Sequence, residues 1–155
     1  MIRLLDIGCG PAKQPNHLGL DWWPFPGVDV VRDVAKRGLP FDDNSVDGIW
    51  SQHFVEHLSG EDLLFLIEEM YRVSRSDVEW VIILPDATSP NRYKDPTHQI
   101  QSWTSDSFDF WKINEKGEHI IFAGPAYRRT AKLHLVETAV NGNRDRMFRL
   151  KVVKP

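Results

Sequence analysis

Leu4-Leu5-Asp6-Ile7-Gly8-Cys9-Gly10 is the stretch that decides the fold. A short apolar run passes through an acid and ends in two glycines. That pattern predicts a buried parallel strand emptying into a tight turn. Glycine has no Cβ, so the backbone after the strand can turn sharply and approach a ligand closely. In open α/β sheets, ligands bind beyond the carboxyl ends of the strands. Asp6, Gly8, Cys9 and Gly10 therefore stand at a candidate ligand crevice, with Cys9 as a small wall residue of the turn. An ordinary strand-to-loop turn in an α/β protein has the same composition.

The spacing argues against two kinds of ligand. A dinucleotide fingerprint needs G-x-G-x-x-G, but Pro11-Ala12-Lys13 follow Gly10 and no third glycine falls in register. A phosphate-binding loop needs G-x-x-x-x-G-K-[ST], which is also absent. A glycine turn of this kind, next to an acid, suits a cofactor that lacks phosphates. His17–Asp21 and Val28–Asp33 then read as short strands, each ending in an acid. Ser45–Ser51 reads as a third, leading into Gln52-His53-Phe54-Val55-Glu56-His57-Leu58.

In that order, LLDIGCG, GLD, VVRDV and LPFDDNSVDGIWSQHFVEHL resemble the class I S-adenosylmethionine-dependent methyltransferases, particularly the small type 11 group. The resemblance is closest in the first ninety residues or so. It implies an α/β fold: a Rossmann-like, doubly wound, mostly parallel sheet that ends in an antiparallel hairpin. It implies S-adenosylmethionine as cofactor. Asp21 matches the acid that accepts from the ribose hydroxyls, and Trp22 could lie against the adenine face. Asp33, followed by Val34, matches the acid that meets the adenine amino group. Gly8 and Gly10 would face the methionine portion, with Ser51 and Gln52 across the crevice. Turn-forming or helix-capping acid is the other reading of Asp21 and Asp33. One departure stands out. Only ten residues, Pro11 to Leu20, separate Gly10 from Asp21. A parallel crossover usually takes a dozen or more, commonly helical. The first crossover is therefore shortened, with room for one helical turn.

Length and composition bound the rest. At 155 residues, one domain spanning 1–155 is expected. The single cysteine excludes an internal disulfide and fits a reducing, cytoplasmic setting. No membrane-length apolar run or secretion signal is apparent. One cysteine and six scattered histidines form no zinc quartet of usual spacing, so no metal is expected. Through Met70 there are five basic against twelve acidic residues; from His119 onward there are eight against two. The basic end, Arg128, Arg129, Lys132 and Arg144 to Lys154, could contact nucleic acid. A solvated edge-strand face is the favoured account.

A helix is expected from Ser59 to about Ser74, buried through Leu63, Leu66, Ile67, Met70 and Val73. Val78–Leu84 reads as the next core strand, and Ser105–Ile113 as a helix with Phe108 and Trp111 inward. Glu118–Phe122 reads as a short strand or part of a lid. Lys132–Val140 and Asp145–Lys154 read as a hairpin around Asn141-Gly142-Asn143. The loop from Pro85 to Trp103 is expected to cover the transferred methyl group. Its Asp95-Pro96-Thr97-His98 segment is similar to one that small type 11 enzymes often carry. Histidine is the side chain type suited to proton transfer at neutral pH, so His98 is the candidate general base, or else fixes the loop. The expected activity is methyl transfer to a small-molecule or carbohydrate-like acceptor, the acceptor class resting on analogy with related small enzymes. The alternatives are a non-catalytic cofactor-binding scaffold and a nucleic-acid methyltransferase. The second lacks an acceptor motif, since Leu84-Pro85-Asp86-Ala87 stands where one would be sought.

Overall fold

In the computed structural model, which describes residues 3–124, 127 and 129–155, the opening run forms strand β1, Leu4–Ile7. Its last three residues are buried. Beside it lie β2, Leu18–Asp21, and the two-residue β3, Val30–Val31. On the other side are β4, Gly48–Gln52, and β5, Glu79–Pro85. These five are parallel, whereas β6, Leu133–Val140, and β7, Asp145–Val152, form the expected hairpin. The seven-stranded order is β3-β2-β1-β4-β5-β7-β6, with β7 antiparallel to β5. The order reverses between β1 and β4, which is where a crevice opens at the strand ends.

The expected long helix is α2, Gly60–Val73. Ser59 caps it by accepting the Asp62 amide on its hydroxyl, and the five apolar residues of the expected stripe are all buried. Each such side chain contributes roughly 1.5–3 kcal/mol by leaving water. On the β5 side, Trp80, Ile82 and Leu84 are fully buried, and the Trp80 indole donates to Ser74 Oγ at 2.9 Å.

The first crossover holds no helix at all; residues 8–17 form a chain of turns. Charged side chains hold it instead. Asp29 accepts from both the Gly19 amide and Lys13 Nζ, each at 2.7 Å. After β3, the helix α1 is a single turn, Val34–Arg37.

Two expectations fail in the segment between β5 and β6. Ser105–Ile113 contains only one 3-10 turn, Asp109–Trp111, and not a helix. Its polar start bonds to its own backbone, with the Thr104 amide donating to Ser107 Oγ, and such local bonds compete with a helix. Phe108 and Trp111 are nevertheless buried. Phe108 packs edge-on against Phe148, with ring centroids 4.7 Å apart. Of the two readings of Glu118–Phe122, strand or part of a lid, the strand is the one that fails. The stretch is a short strap, joined to the preceding turn by one antiparallel bridge between Ile113 and His119. Its exposed Ile120, Ile121 and Phe122 find no sheet neighbour.

Candidate functional site

The glycine turn is built by mutual constraint. Gly8 has φ +71°, and a Cβ there would lie 2.2 Å from Phe54 Cγ. Only glycine fits, both for backbone conformation and for the ring lying against it. The amides of Gly8 and Cys9 donate to the Leu20 carbonyl at 2.8 and 3.1 Å. Asp21, nearly buried at the end of β2, accepts the Gly10 amide on Oδ2 at 2.9 Å and the Trp23 amide on Oδ1 at 3.0 Å. This carboxylate fastens the turn that follows β1 to the end of β2. Asp6 is also buried and accepts the Gln14 amide at 2.7 Å. Burial raises the Asp6 pKa, against the lowering effect of that bond. Cys9 is a poor nucleophile. Burial, with the Asp6 and Asp21 carboxylates adding, pushes its thiol up to about 11.

Three compartments meet at Gly8. The first, about 220 Å³, is walled by Asp21, Trp22, Asp33 and Val34, with Phe54 and Leu58 opposite. The second is a cleft of about 750 Å³. Gly10, Trp22 and Phe25 line one side of the set, and His57, Thr97 and Gln99 complete it. The third, about 190 Å³, lies under Asp6, Cys9 and Gln52. The residues singled out from the ends of β1, β2 and β3 thus share one crevice. Two do not line it. Ser51 is buried, and its hydroxyl donates to the Ile7 carbonyl at 3.0 Å, bracing the floor. His98 lies one ring back: His57 is on the wall, and His98 packs edge-on against it with centroids 4.7 Å apart. Asp33 combines both of its readings, since it walls the first compartment and its Oδ1 accepts the Lys36 amide to cap α1.

Sequence reasoning passed over His53, Phe54 and His57. They lie in the SQHFVEHL stretch, where β4 ends and a 3-10 turn, Val55–His57, begins. His53 lies between the second and third compartments, with φ +53°, a conformation unusual for a non-glycine residue. Its Nδ1 meets Glu56 Oε1 at 3.3 Å and its Nε2 meets Asp145 Oδ2 at 3.5 Å. Both acids are buried. The Glu56 bond, reinforced by Asp145, raises the His53 pKa against burial. Doubly held by carboxylates, His53 is suited to carry a fixed positive charge and not to remove a proton.

The loop opposite Trp22 is strapped to this turn. The amides of Gln99 and Ile100 both donate to the Glu56 carbonyl, and Gln99 Nε2 donates to the His57 carbonyl at 2.8 Å. That is how Pro96, Thr97 and Gln99 come to stand over the cleft. The basic end of the chain is largely spent internally. Arg146 pairs with Asp86, Arg149 with Glu79 and Glu137, and Lys151 with Asp77. Lys154 donates to the Arg72 and Ser74 carbonyls at the end of α2. Arg128 lies outside the described residues. Among the described residues, no helix is long and apolar enough to cross a membrane.

Comparison with known proteins follows this geometry. A family model described as a methyltransferase domain of type 11 matches residues 24–82. No curated protein matches the sequence. Among solved structures, a SAM-dependent methyltransferase from Archaeoglobus fulgidus is similar at 21% identity and TM-score 0.65, covering 97% of this chain and 86% of that one. One from Aquifex aeolicus aligns at 16% identity and TM-score 0.61, with 98% and 82% covered. The Burkholderia thailandensis 1,6-didemethyltoxoflavin-N1-methyltransferase, solved with its substrate and S-adenosylhomocysteine, aligns at 12% and TM-score 0.63, with 97% and 71% covered.

Proposed function

We propose, from the family match over residues 24–82 and the shared fold, that the chain is a class I S-adenosylmethionine-dependent methyltransferase of the type 11 group, and that it methylates a small-molecule or carbohydrate-like acceptor held in the cleft. The observation that carries the reading is the convergence at Gly8 of one compartment walled from three strand ends and one wide cleft.

The residues fit the cofactor. Each Asp21 oxygen has one backbone partner, and a carboxylate has about four acceptor sites, so capacity is left for a ribose diol. Trp22, Phe54 and Val34 offer apolar faces to an adenine. Gly10, at φ +52°, has nothing within 4 Å of its Cβ position, so a ligand can lie against the backbone there. Asp6, Cys9 and Gln52 would close around the methionine end. S-adenosylmethionine supplies a sulfonium-activated methyl group. The chain's own task is to align the acceptor and exclude water, which can lower the barrier by several kcal/mol. Trp22, Phe25 and Phe54 give the cleft flat apolar surfaces, and His57, Thr97 and Gln99 give it polar points. A sugar ring, with apolar faces and edge hydroxyls, matches such a wall. His57, and not His98, is the member of the edge-on pair on the cleft wall, so the base role expected of His98 has no direct path to the acceptor. The internal pairing of the basic end favours this class over nucleic acid.

Calorimetry with S-adenosylhomocysteine tests the cofactor site. Asp21→Ala is expected to weaken binding by roughly 10- to 100-fold, the loss of a charge-assisted hydrogen-bonding partner. An affinity unchanged in that variant would overturn the assignment of Asp21. Binding with no turnover across a panel of glycosides and small alcohols would shift the reading to the scaffold, which the shortened first crossover also suits.

A further inference from the structure

We propose that Glu56, His57 and His98 form a binding site for a divalent transition-metal ion on the wall of the cleft. One ligand atom from each of the three residues lies within 4.8 Å of the others. Bonds of about 2.1 Å to a tetrahedral ion put its ligands roughly 3.4 Å apart, so small rotations of the two imidazoles close the set.

Two features point to an ion, and a third shows that the fold presents the ligands before one binds. First, Glu56 is 1% exposed, and its Oε2 is buried with no hydrogen-bond partner among the described residues. A buried carboxylate oxygen without a partner is costly, and a bound cation removes that cost. Second, each ligand is held from behind through its other polar atom, as metal ligands usually are. Glu56 Oε1 meets His53, which Asp145 holds in turn. His98 Nδ1 lies 3.1 Å from the Arg92 carbonyl, which can only accept, so its Nε2 is left with a free lone pair. Thr97 Oγ1 donates to Asp95 Oδ1 at 2.6 Å, so it accepts from His57 Nδ1 at 2.8 Å and frees His57 Nε2 in the same way. Third, the backbone brings the two segments together without any ion, through the bonds from Gln99 and Ile100 to the Glu56 carbonyl.

Two imidazole nitrogens and one carboxylate oxygen suit zinc, cobalt, manganese or ferrous iron better than calcium or magnesium, which prefer oxygen ligands. Three protein ligands leave coordination positions open, and His57 lines the cleft. The site would therefore take an acceptor through an oxygen and supply Lewis-acid activation; this role, unlike ion binding itself, rests on the methyltransferase reading.

The test uses the full chain without an affinity tag, stripped with a chelator. Cobalt is added and followed by its visible absorption, and zinc by calorimetry. One ion per chain is expected. His57→Ala and His98→Ala should each weaken binding by at least about tenfold, and Thr97→Val by a smaller factor. His134→Ala, on an exposed position of β6, should bind as the parent does. Circular dichroism and urea midpoints check that the two loop variants fold; Glu56→Gln, at a buried position, is the supplementary variant. Absence of cobalt uptake at millimolar concentration, or equal affinity in parent, His57→Ala and His98→Ala, would overturn the proposal. S-adenosylhomocysteine binding measured on the same stripped protein reports on the cofactor site separately. Failure of the ion site with cofactor binding intact would thus be told apart from failure of both.

Discussion

The two wings of the sheet are built on different principles. The β3-β2-β1 wing has strands of two and four residues, a first crossover with no helix, and carboxylates doing the fastening. Asp21 ties the glycine turn to β2, and Asp29 holds Lys13 and the Gly19 amide. The β5-β7-β6 wing has strands of seven and eight residues in antiparallel register, interrupted by one bulge between Leu135 and Glu137, with Phe148 and Leu150 fully buried. Most ligand-facing residues of the proposed cofactor site lie on the lightly built wing, with Gln52 and Phe54 added from the end of β4 and just beyond it. Binding sites often occupy the less stable parts of a fold, where ligand energy can order what packing does not.

The sharpest way to break the short wing is Gly8→Ala. The added methyl meets Phe54 and the residue must hold φ +71°, so a loss of about 2–4 kcal/mol is expected in urea unfolding, with loss of cofactor binding. Hydrogen exchange tests the contrast itself. Amides of Leu18–Asp21 should exchange at least about tenfold faster than those of Ile82 and Phe148. S-adenosylhomocysteine at about 100 times its Kd should slow the first set by up to roughly 100-fold, because a ligand that binds only the closed state stabilises it. Uniform protection across both wings would erase the distinction.

His53 links the wings, since it follows β4 and pairs with Asp145 at the start of β7. Its pKa is raised by the Glu56 carboxylate and then by Asp145, so the folded state gains most from this group below its ordinary pKa near 6.5. That gain is lost as pH rises through the raised value. Asp145→Asn should lower the pKa seen by NMR titration of the His53 ring and flatten the pH dependence of the urea midpoint over that range. A ring titrating unchanged in Asp145→Asn would remove Asp145 from the cause. The smallest effect is expected from Glu137→Gln. Its pair with Arg149 is half exposed on the long wing, and exposed pairs contribute little. A melting temperature indistinguishable from the parent's would leave strand pairing as that wing's main support.

Much of the sheet was legible because its signals are local. Apolar runs ending in Asp6 with Gly8, in Asp21 and before Asp33 mark strand ends, and the stripe from Leu63 to Val73 has helical period. The expected β3 over Val28–Asp33 shrank to Val30–Val31, because the Asp29 side chain, and not a strand carbonyl, takes the Gly19 amide of β2. Residues 86–124 resisted reading because their order comes from an aromatic cluster and side-chain-to-backbone bonds, neither of which has a period. The same holds at the site. Asp21, Trp22, Asp33 and Val34 meet on one compartment, as the order of the strands implied. His57 and His98 meet through a strap of three hydrogen bonds across forty-odd residues, and no spacing rule written for zinc quartets would find them.

The protonated state of Cys9 has a practical consequence. Burial, with two carboxylates adding, pushes the chain's single thiol up to about 11, so oxidants and alkylating reagents that act through the thiolate should find little of it at neutral pH. The native molecule is in effect a blank background for maleimide chemistry. A cysteine introduced at exposed Trp22 would take a fluorophore selectively, and the crevice could then be watched from its rim.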